Sequence, residues 1–207
     1  MTKEQMNKII SQYEGEELGS SDTTWEGTQF DDRSAVINYS LVRHYKPKVI
    51  VEFGTRTGRC THDILKALLK NGGKFDFHPY ELEDENRQIA QENIELIFGD
   101  KAVIIGGDIT KTTDIPDNID YLFIDNYHDM ETTKWVFDTL IKKCVNGCLV
   151  QIHDIPLKGD FEVGKSGFIE TSYIVDLHKD GKLPLEKLYW TYEEGGRMES
   201  SWWIYQS

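Results

Sequence analysis

Side chains able to do acid–base or metal chemistry follow directly on two largely apolar runs. Asp120-Tyr121-Leu122-Phe123-Ile124 leads into Asp125-Asn126-Tyr127-His128, and Cys148-Leu149-Val150-Gln151-Ile152 leads into His153-Asp154. Each run reads as a buried strand, so the polar residue after it belongs at the rim of a sheet and not in its core. Asp125, His128, His153 and Asp154 are thereby brought toward one mouth. Two carboxylates and two imidazoles there could hold a divalent metal or supply a general base. A structural His-Asp pair stays open beside them.

A second group lies earlier. Val49-Ile50-Val51-Glu52-Phe53-Gly54-Thr55-Arg56-Thr57-Gly58 is a buried strand running into a glycine-bearing turn before a helix. Glycines there let the backbone turn tightly and lie against a ligand with no Cβ in the way. The helix that follows offers unpaired N–H groups and a positive dipole end. The spacing is E-x-G-x-x-x-G, not the G-x-G-x-x-G of NAD-binding turns. The plain alternative is a structural strand-to-helix turn. Phe77-His78-Pro79-Tyr80-Glu81 also ends in an acid, able to take both hydroxyls of a ribose. Glu83, Asp84 and Glu85 crowd the same place, so a solvated helix-start acid, or Glu83 in the binding role, stays open. Val103-Ile104-Ile105-Gly106-Gly107-Asp108 closes the next strand, with Asp108 either a ligand contact or a turn cap.

These residues require a frame of alternating strands and helices. Strands are predicted over 49–53, 74–82, 102–105, 120–124 and 147–153. Helices are predicted over 32–44, 61–70, 85–97, 130–143 and 170–179, with a short amphipathic one around Met6, Ile9, Ile10 and Tyr13. Such alternation implies right-handed crossovers and a mostly parallel, doubly wound sheet covered on both faces. The tail differs, because 185–192 and 201–205 read as strands joined by Glu193-Glu194-Gly195-Gly196, an antiparallel hairpin. The fold class is α/β: a Rossmann-like, mostly parallel sheet with a C-terminal antiparallel hairpin. Residues 1–33 form an N-terminal helical or lid segment, with Trp25 and Phe30 where a lid would sit, and 34–207 a single domain.

With these motifs in hand, the chain resembles the class I methyltransferases that use S-adenosylmethionine (SAM). The resemblance implies that Glu52, Gly54, Thr55 and Gly58 contact the methionine part of the cofactor. It also implies that Glu81 takes the ribose and that Asp108 lies near the adenine amino group, with Asp125 bordering the cofactor. The second half is similar to the small-molecule O-methyltransferases of the catechol and macrolide- or aminocoumarin-sugar type. Ile124-Asp125-Asn126-Tyr127-His128 and Ile152-His153-Asp154 match their order and spacing. Asn126 stands where glycine is frequent, and Gly147-Cys148 where Gly-Gly is usual. In the metal-dependent members the positions of Asp125, His153 and Asp154 hold Mg²⁺. Imidazole suits Mn²⁺, Fe²⁺ or Zn²⁺ better, so either the metal differs or His153 is a base in a metal-free site, with His128 nearby.

Composition narrows the partners. A chain of 207 residues with 39% hydrophobic and 29% charged residues is expected to build one globular domain. The net charge of −13 repels a phosphate backbone, so nucleic acid is not an expected partner. No apolar run is long enough for a membrane span or leader, and three cysteines without framework spacing point to the cytoplasm. Cys144 and Cys148, separated by a turn at Asn146-Gly147, read as buried, inert thiols. Tyr189, Trp190, Tyr192, Trp202, Trp203 and Tyr205 form the core face of the hairpin, a homodimer surface or an acceptor pocket wall. The glycine-bearing segment 156–167 is expected to be a long flexible loop closing the acceptor site. The leading expectation is methyl transfer to a hydroxyl of a small molecule such as a sugar, polyketide or phenol. The alternatives are a non-catalytic nucleotide- or partner-binding module, or a hydrolase- or hydroxylase-like enzyme with an altered site on the same fold.

Overall fold

The computed structural model describes residues 3–13, 16, 32–126, 128–153, 157–158, 162–163, 169–183 and 201–205. Trp25, Phe30, Tyr127, Asp154 and the strand expected over 185–192 lie outside these residues.

Two helices, α1 (Lys3–Tyr13) and α2 (Asp32–Tyr45), lead into strand β1 (Val49–Phe53). Then α3 (Arg59–Asn71), β2 (Asp76–Glu81), α4 (Asp84–Phe98), β3 (Ile105–Gly106), β4 (Ile119–Ile124), α5 (Met130–Asp138) and β5 (Cys144–Ile152) follow. The short β6 (Leu157–Lys158) and β7 (Glu162–Val163), helix α6 (Ile169–Lys179) and β8 (Ser201–Ile204) complete it. The sheet runs β3-β2-β1-β4-β5-β8, parallel throughout except for β8, which pairs antiparallel with β5. The chain winds outward from β1 to β3 and then returns to place β4 on the other side of β1. That reversal opens a crevice at the carboxyl ends of β1 and β4, where ligands of open α/β sheets bind.

The central strands are apolar on both faces because helices cover both. Ile50 and Val51 are fully buried and point to opposite sides, as strand geometry demands. Val51, Leu122 and Val150 pack with Val136, Leu140 and Ile174. On the other face Ile50, Tyr121, Phe123 and Leu149 meet Ile37, Leu41, Ile64 and Leu68 from α2 and α3. Each such aliphatic side chain removed from water contributes about 1.5–3 kcal/mol. Helix α1 adds the buried Ile9, and its end is tied down by Glu16, which accepts hydrogen bonds from Arg43 Nε at 3.0 Å and Nη2 at 3.1 Å. The Arg43 guanidinium and the Tyr39 hydroxyl hold the Glu16 carboxyl down at about 2.

Several expectations change. The helix expected over 130–143 ends at Asp138, because Thr139 leaves helical geometry and Leu140–Lys143 form a 3-10 turn. The strand expected over 102–105 shrinks to Ile105–Gly106. The Gln91 side chain from α4 replaces its ladder, donating to Ala102 O at 3.3 Å and accepting from Ile104 N–H at 2.8 Å. No turn separates Cys144 from Cys148. Both are buried, free thiols on β5, with Gly147 at φ 92 inside an irregular stretch of that strand. Within the segment expected to be a flexible loop, β6 and β7 pair antiparallel. Among the described residues no helix is long and apolar enough to cross a membrane.

Candidate functional site

The ladder of the sheet continues one residue past its strands and gathers the polar residues. Gly54 N–H donates to Tyr80 O at 3.0 Å, Asp125 N–H to Phe53 O at 2.8 Å, His153 N–H to Ile124 O at 2.8 Å and Gly107 N–H to Glu81 O at 3.0 Å. Gly54, Glu81, Gly107, Asp125 and His153 are thus fixed along one rim. They line a single cavity of about 910 Å³ together with Thr55, Asp108 and His128. That is ample for a nucleoside-sized ligand and a small second substrate.

The turn after β1 is built around the Glu81 carboxylate, which is 6% exposed. Its Oε2 accepts from the backbone N–H groups of Thr55 (3.1 Å) and Arg56 (2.6 Å) and from the Thr55 hydroxyl (3.4 Å). Its Oε1 accepts from Glu83 N–H at 3.0 Å. A carboxylate offers about four lone-pair sites, so Oε1 retains room for one more donor such as a ligand hydroxyl. The same grip holds Arg56 at φ 50, a conformation that costs a non-glycine residue of order 1 kcal/mol.

Gly54 cannot carry a side chain. It sits at φ 96, and a Cβ there would lie 2.0 Å from Asp125 O and 2.7 Å from Asp125 C. Glycine is what lets the β1 turn touch the end of β4. Gly58 does different work: it caps α3 at φ 91, with its missing Cβ facing Ala90 of α4 at 3.3 Å. It does not line the cavity. Nor does Glu52, which is fully buried behind the wall and accepts from the Thr61 hydroxyl at 2.8 Å. Burial pushes the Glu52 carboxyl up to about 8, with Asp125 and Glu81 adding to the rise.

Asp108 lines the cavity and also caps its own turn. It accepts from Thr110 N–H at 3.0 Å and the Thr110 hydroxyl at 2.6 Å, and pairs with Lys111 Nζ at 2.8 Å. Lys111 and Thr110 hold its carboxyl below the usual range.

At the far side of the mouth, His153 is 2% exposed and directs Nδ1 to Asp125 Oδ1 at 3.5 Å. His128 borders the same space, just before Asp129, which caps α5 by accepting from Thr132 N–H at 2.8 Å. Among the described residues no group of three or more His, Cys, Asp or Glu side chains is arranged to hold a metal. Asp154, the third expected ligand, lies outside those residues.

The cavity also takes in residues that the motifs did not mark. Cys60, on the first turn of α3, lines its floor, and Trp135 of α5 lines its wall, edge-on to Phe53 with ring centroids 6.3 Å apart. Cys60 was two residues past a motif glycine and could have been flagged by that spacing. Trp135 had only the spacing of a helix face to mark it, which does not distinguish cavity wall from core.

No curated protein sequence matches the chain. Solved structures do, at low identity. The O-methyltransferase TomG from Streptomyces achromogenes, involved in tomaymycin synthesis and solved with SAM, has a TM-score of 0.67 at 15% identity, covering 99% of this chain and 89% of that one. An O-methyltransferase from Bacillus cereus in complex with SAH has a TM-score of 0.66 at 16% identity, covering 96% and 89%. The SAH-bound Podospora anserina methyltransferase PaMTH1 has a TM-score of 0.60 at 14% identity, covering 95% and 86%. These likenesses establish the fold. A family profile described as a methyltransferase domain matches residues 51–155, from the second half of β1 to just past β5, a little over half of the sequence. That span contains the glycine turn, Glu81, Asp108, Asp125 and His153, and the chain belongs to the methyltransferase-domain family.

Proposed function

We propose that the chain transfers the methyl group of SAM to a hydroxyl of a small molecule, with Asp125 and His153 handling the acceptor's proton. The observation that carries this reading is that the Glu81-bound glycine turn and the Asp125–His153 pair open into one cavity. Glu81 Oε1 would receive a ribose hydroxyl, while the turn at Gly54 and Thr55 lies against the methionine part. Asp108 would meet the adenine end. That solved structures of this fold hold SAM or SAH supports SAM as the ligand.

The chemistry asks little covalent help. The acceptor oxygen forms a bond to the methyl carbon as the C–S bond breaks, and the positively charged sulfonium becomes a neutral thioether. The hydroxyl proton passes to the His153 imidazole, and the Asp125 carboxylate stabilises the imidazolium that results. The protein's contribution is alignment of oxygen, carbon and sulfur, and exclusion of water by Phe53 and Trp135. Asp125 and His153 are the candidate metal ligands among the described residues, and no step is assigned to a metal.

The test is transfer of labelled methyl from SAM to a panel of sugars, phenols and polyketide alcohols, with and without EDTA. Transfer that survives EDTA and falls about 10²–10⁴-fold in His153→Gln supports the base assignment. Transfer abolished by EDTA and restored by Mn²⁺ or Mg²⁺ would replace it with a metal-assisted one.

A further inference from the structure

At the amino end of β5, away from the cavity, stand two thiols that the proposed chemistry does not use. We propose that Cys144 and Cys148 are a dithiol modification site: a peroxide closes them to an intrachain disulfide within the folded chain, and a thiol reductant reopens them. The inference does not rest on the methyl-transfer reading.

Strand pairing brings the two residues together. Cys144 pairs with Ile119 and Leu149 with Tyr121, so β4 advances two residues while β5 advances five. Two residues of β4 span about 6.6 Å, and the ends of the longer stretch lie roughly that far apart. The three extra residues leave the ladder in a bulge, with Gly147 at φ 92 helping to reverse the chain. Cys148, just before Leu149, is carried back toward Cys144, and the two side chains meet. A disulfide asks for Cα atoms about 4.4–6.8 Å apart. In a regular strand, residues four apart would be about 13 Å from each other, beyond any bridge.

Both flanks of the bulge are fixed, so closing the bridge asks for little movement. Ahead of Cys144, Lys143 Nζ donates to Ile115 O at 3.1 Å and pairs with Asp117 at 2.7 Å. At the other end, Gly147 N–H donates to Tyr205 O and Tyr205 N–H to Cys148 O, each at 2.8 Å. Cys148 is fully buried and Cys144 is 8% exposed, both as free thiols. Burial keeps bulky alkylating reagents from them, but not each from the other. The neighbouring Cys144 and burial hold the Cys148 thiol above the ordinary range, so Cys144 is the nucleophile. Its thiolate breaks the O–O bond of hydrogen peroxide, giving a sulfenic acid and one water. The Cys148 sulfur then displaces the second oxygen as water. Two thiols and one peroxide become one disulfide and two waters, the sulfurs giving up two electrons to the peroxide. Cys60, the third cysteine, accepts from Asn38 Nδ2 at 3.0 Å instead.

The experiment treats the full, folded chain with hydrogen peroxide and weighs the tryptic peptide 144–158, which holds both cysteines. A loss of about 2 Da, reversed by dithiothreitol, is expected, with Cys60 left reduced. Closing so short a loop should raise the melting temperature by about 5 °C. Cys148→Ser should show neither change, and dimedone should instead trap Cys144 as the sulfenic acid. An unchanged peptide, one gaining about 32 or 48 Da as sulfinic or sulfonic acid, or a bridge to Cys60 would overturn the inference. So would a bridge that forms only in urea. A fall in melting temperature on closure would overturn it as well, because the bulge would then not be in bridging geometry. The mass change on the unmodified chain does not depend on the variant's folding.

Discussion

Gly54→Ala is predicted to be far more damaging than its size suggests. The new methyl would sit 2.0 Å from the carbonyl oxygen of Asp125 and 2.7 Å from its carbonyl carbon, and both are backbone atoms of a central strand end. Neither can rotate away as a side chain would. The residue's φ of 96 adds about 1–2 kcal/mol for an L side chain, and the overlap about 1–3 kcal/mol more. Together, about 2–5 kcal/mol lowers the melting temperature of a chain this size by on the order of 10 °C. Gly107→Ala is the internal control. It has φ 105 but nothing within 4 Å of the added Cβ, so it bears the conformational cost alone. Thermal and urea unfolding of both variants, beside SAM titration, separates the two contributions. Gly54→Ala should be the less stable and should bind SAM poorly, because relief of the clash moves Asp125 away from His153. Equal melting temperatures and undisturbed binding in both would refute the claim that the β1 turn and the end of β4 are locked together here.

Other expectations follow from the same contacts. Glu81→Gln keeps one acceptor oxygen and loses the charge, so SAM affinity should fall about 10–100-fold and stability by about 1–3 kcal/mol, read by calorimetry and urea unfolding. Glu52 titrates higher in the folded chain than when unfolded, at about 8 against 4.5. Its contribution is therefore complete below pH 4.5 and is lost as pH rises toward 8. Glu52→Gln should melt above the unmodified chain at pH 8, with the difference closing near pH 4.5. Glu16 behaves oppositely, lowered from 4.5 to about 2 by Arg43 and Tyr39. Its contribution is present above pH 4.5 and fades as pH falls toward 2, so Glu16→Gln should be less stable at neutral pH and less acid-sensitive.

The parallel frame was legible because its strands are apolar on both faces and its helices repeat with a clear period. Val49–Phe53 and Ile119–Ile124 could hardly be anything but central strands. The rim residues were legible for a related reason: an acid directly after a buried strand has nowhere to go except the sheet's carboxyl edge. Glu52 shows the limit of that reasoning. It lies one residue before the strand ends, and strand alternation sends its side chain into the core, where Thr61 meets it. Position alone did not separate it from Glu81, which reaches the cavity. Gly58 is similar: its spacing suggested ligand contact, whereas its missing Cβ faces Ala90. The short β3 was hidden because Gln91, eleven residues upstream of Ala102, makes the hydrogen bonds that a strand partner would have made. Such a long-range substitution leaves no local pattern.

The most direct test of the account is calorimetric titration of the purified chain with SAM, in parallel with Glu81→Gln. Binding in the micromolar range by the unmodified chain, weakened at least about tenfold in the variant, is the predicted result. A folded chain, verified by its unfolding transition, that shows no SAM binding would contradict the assignment of this cavity to the cofactor.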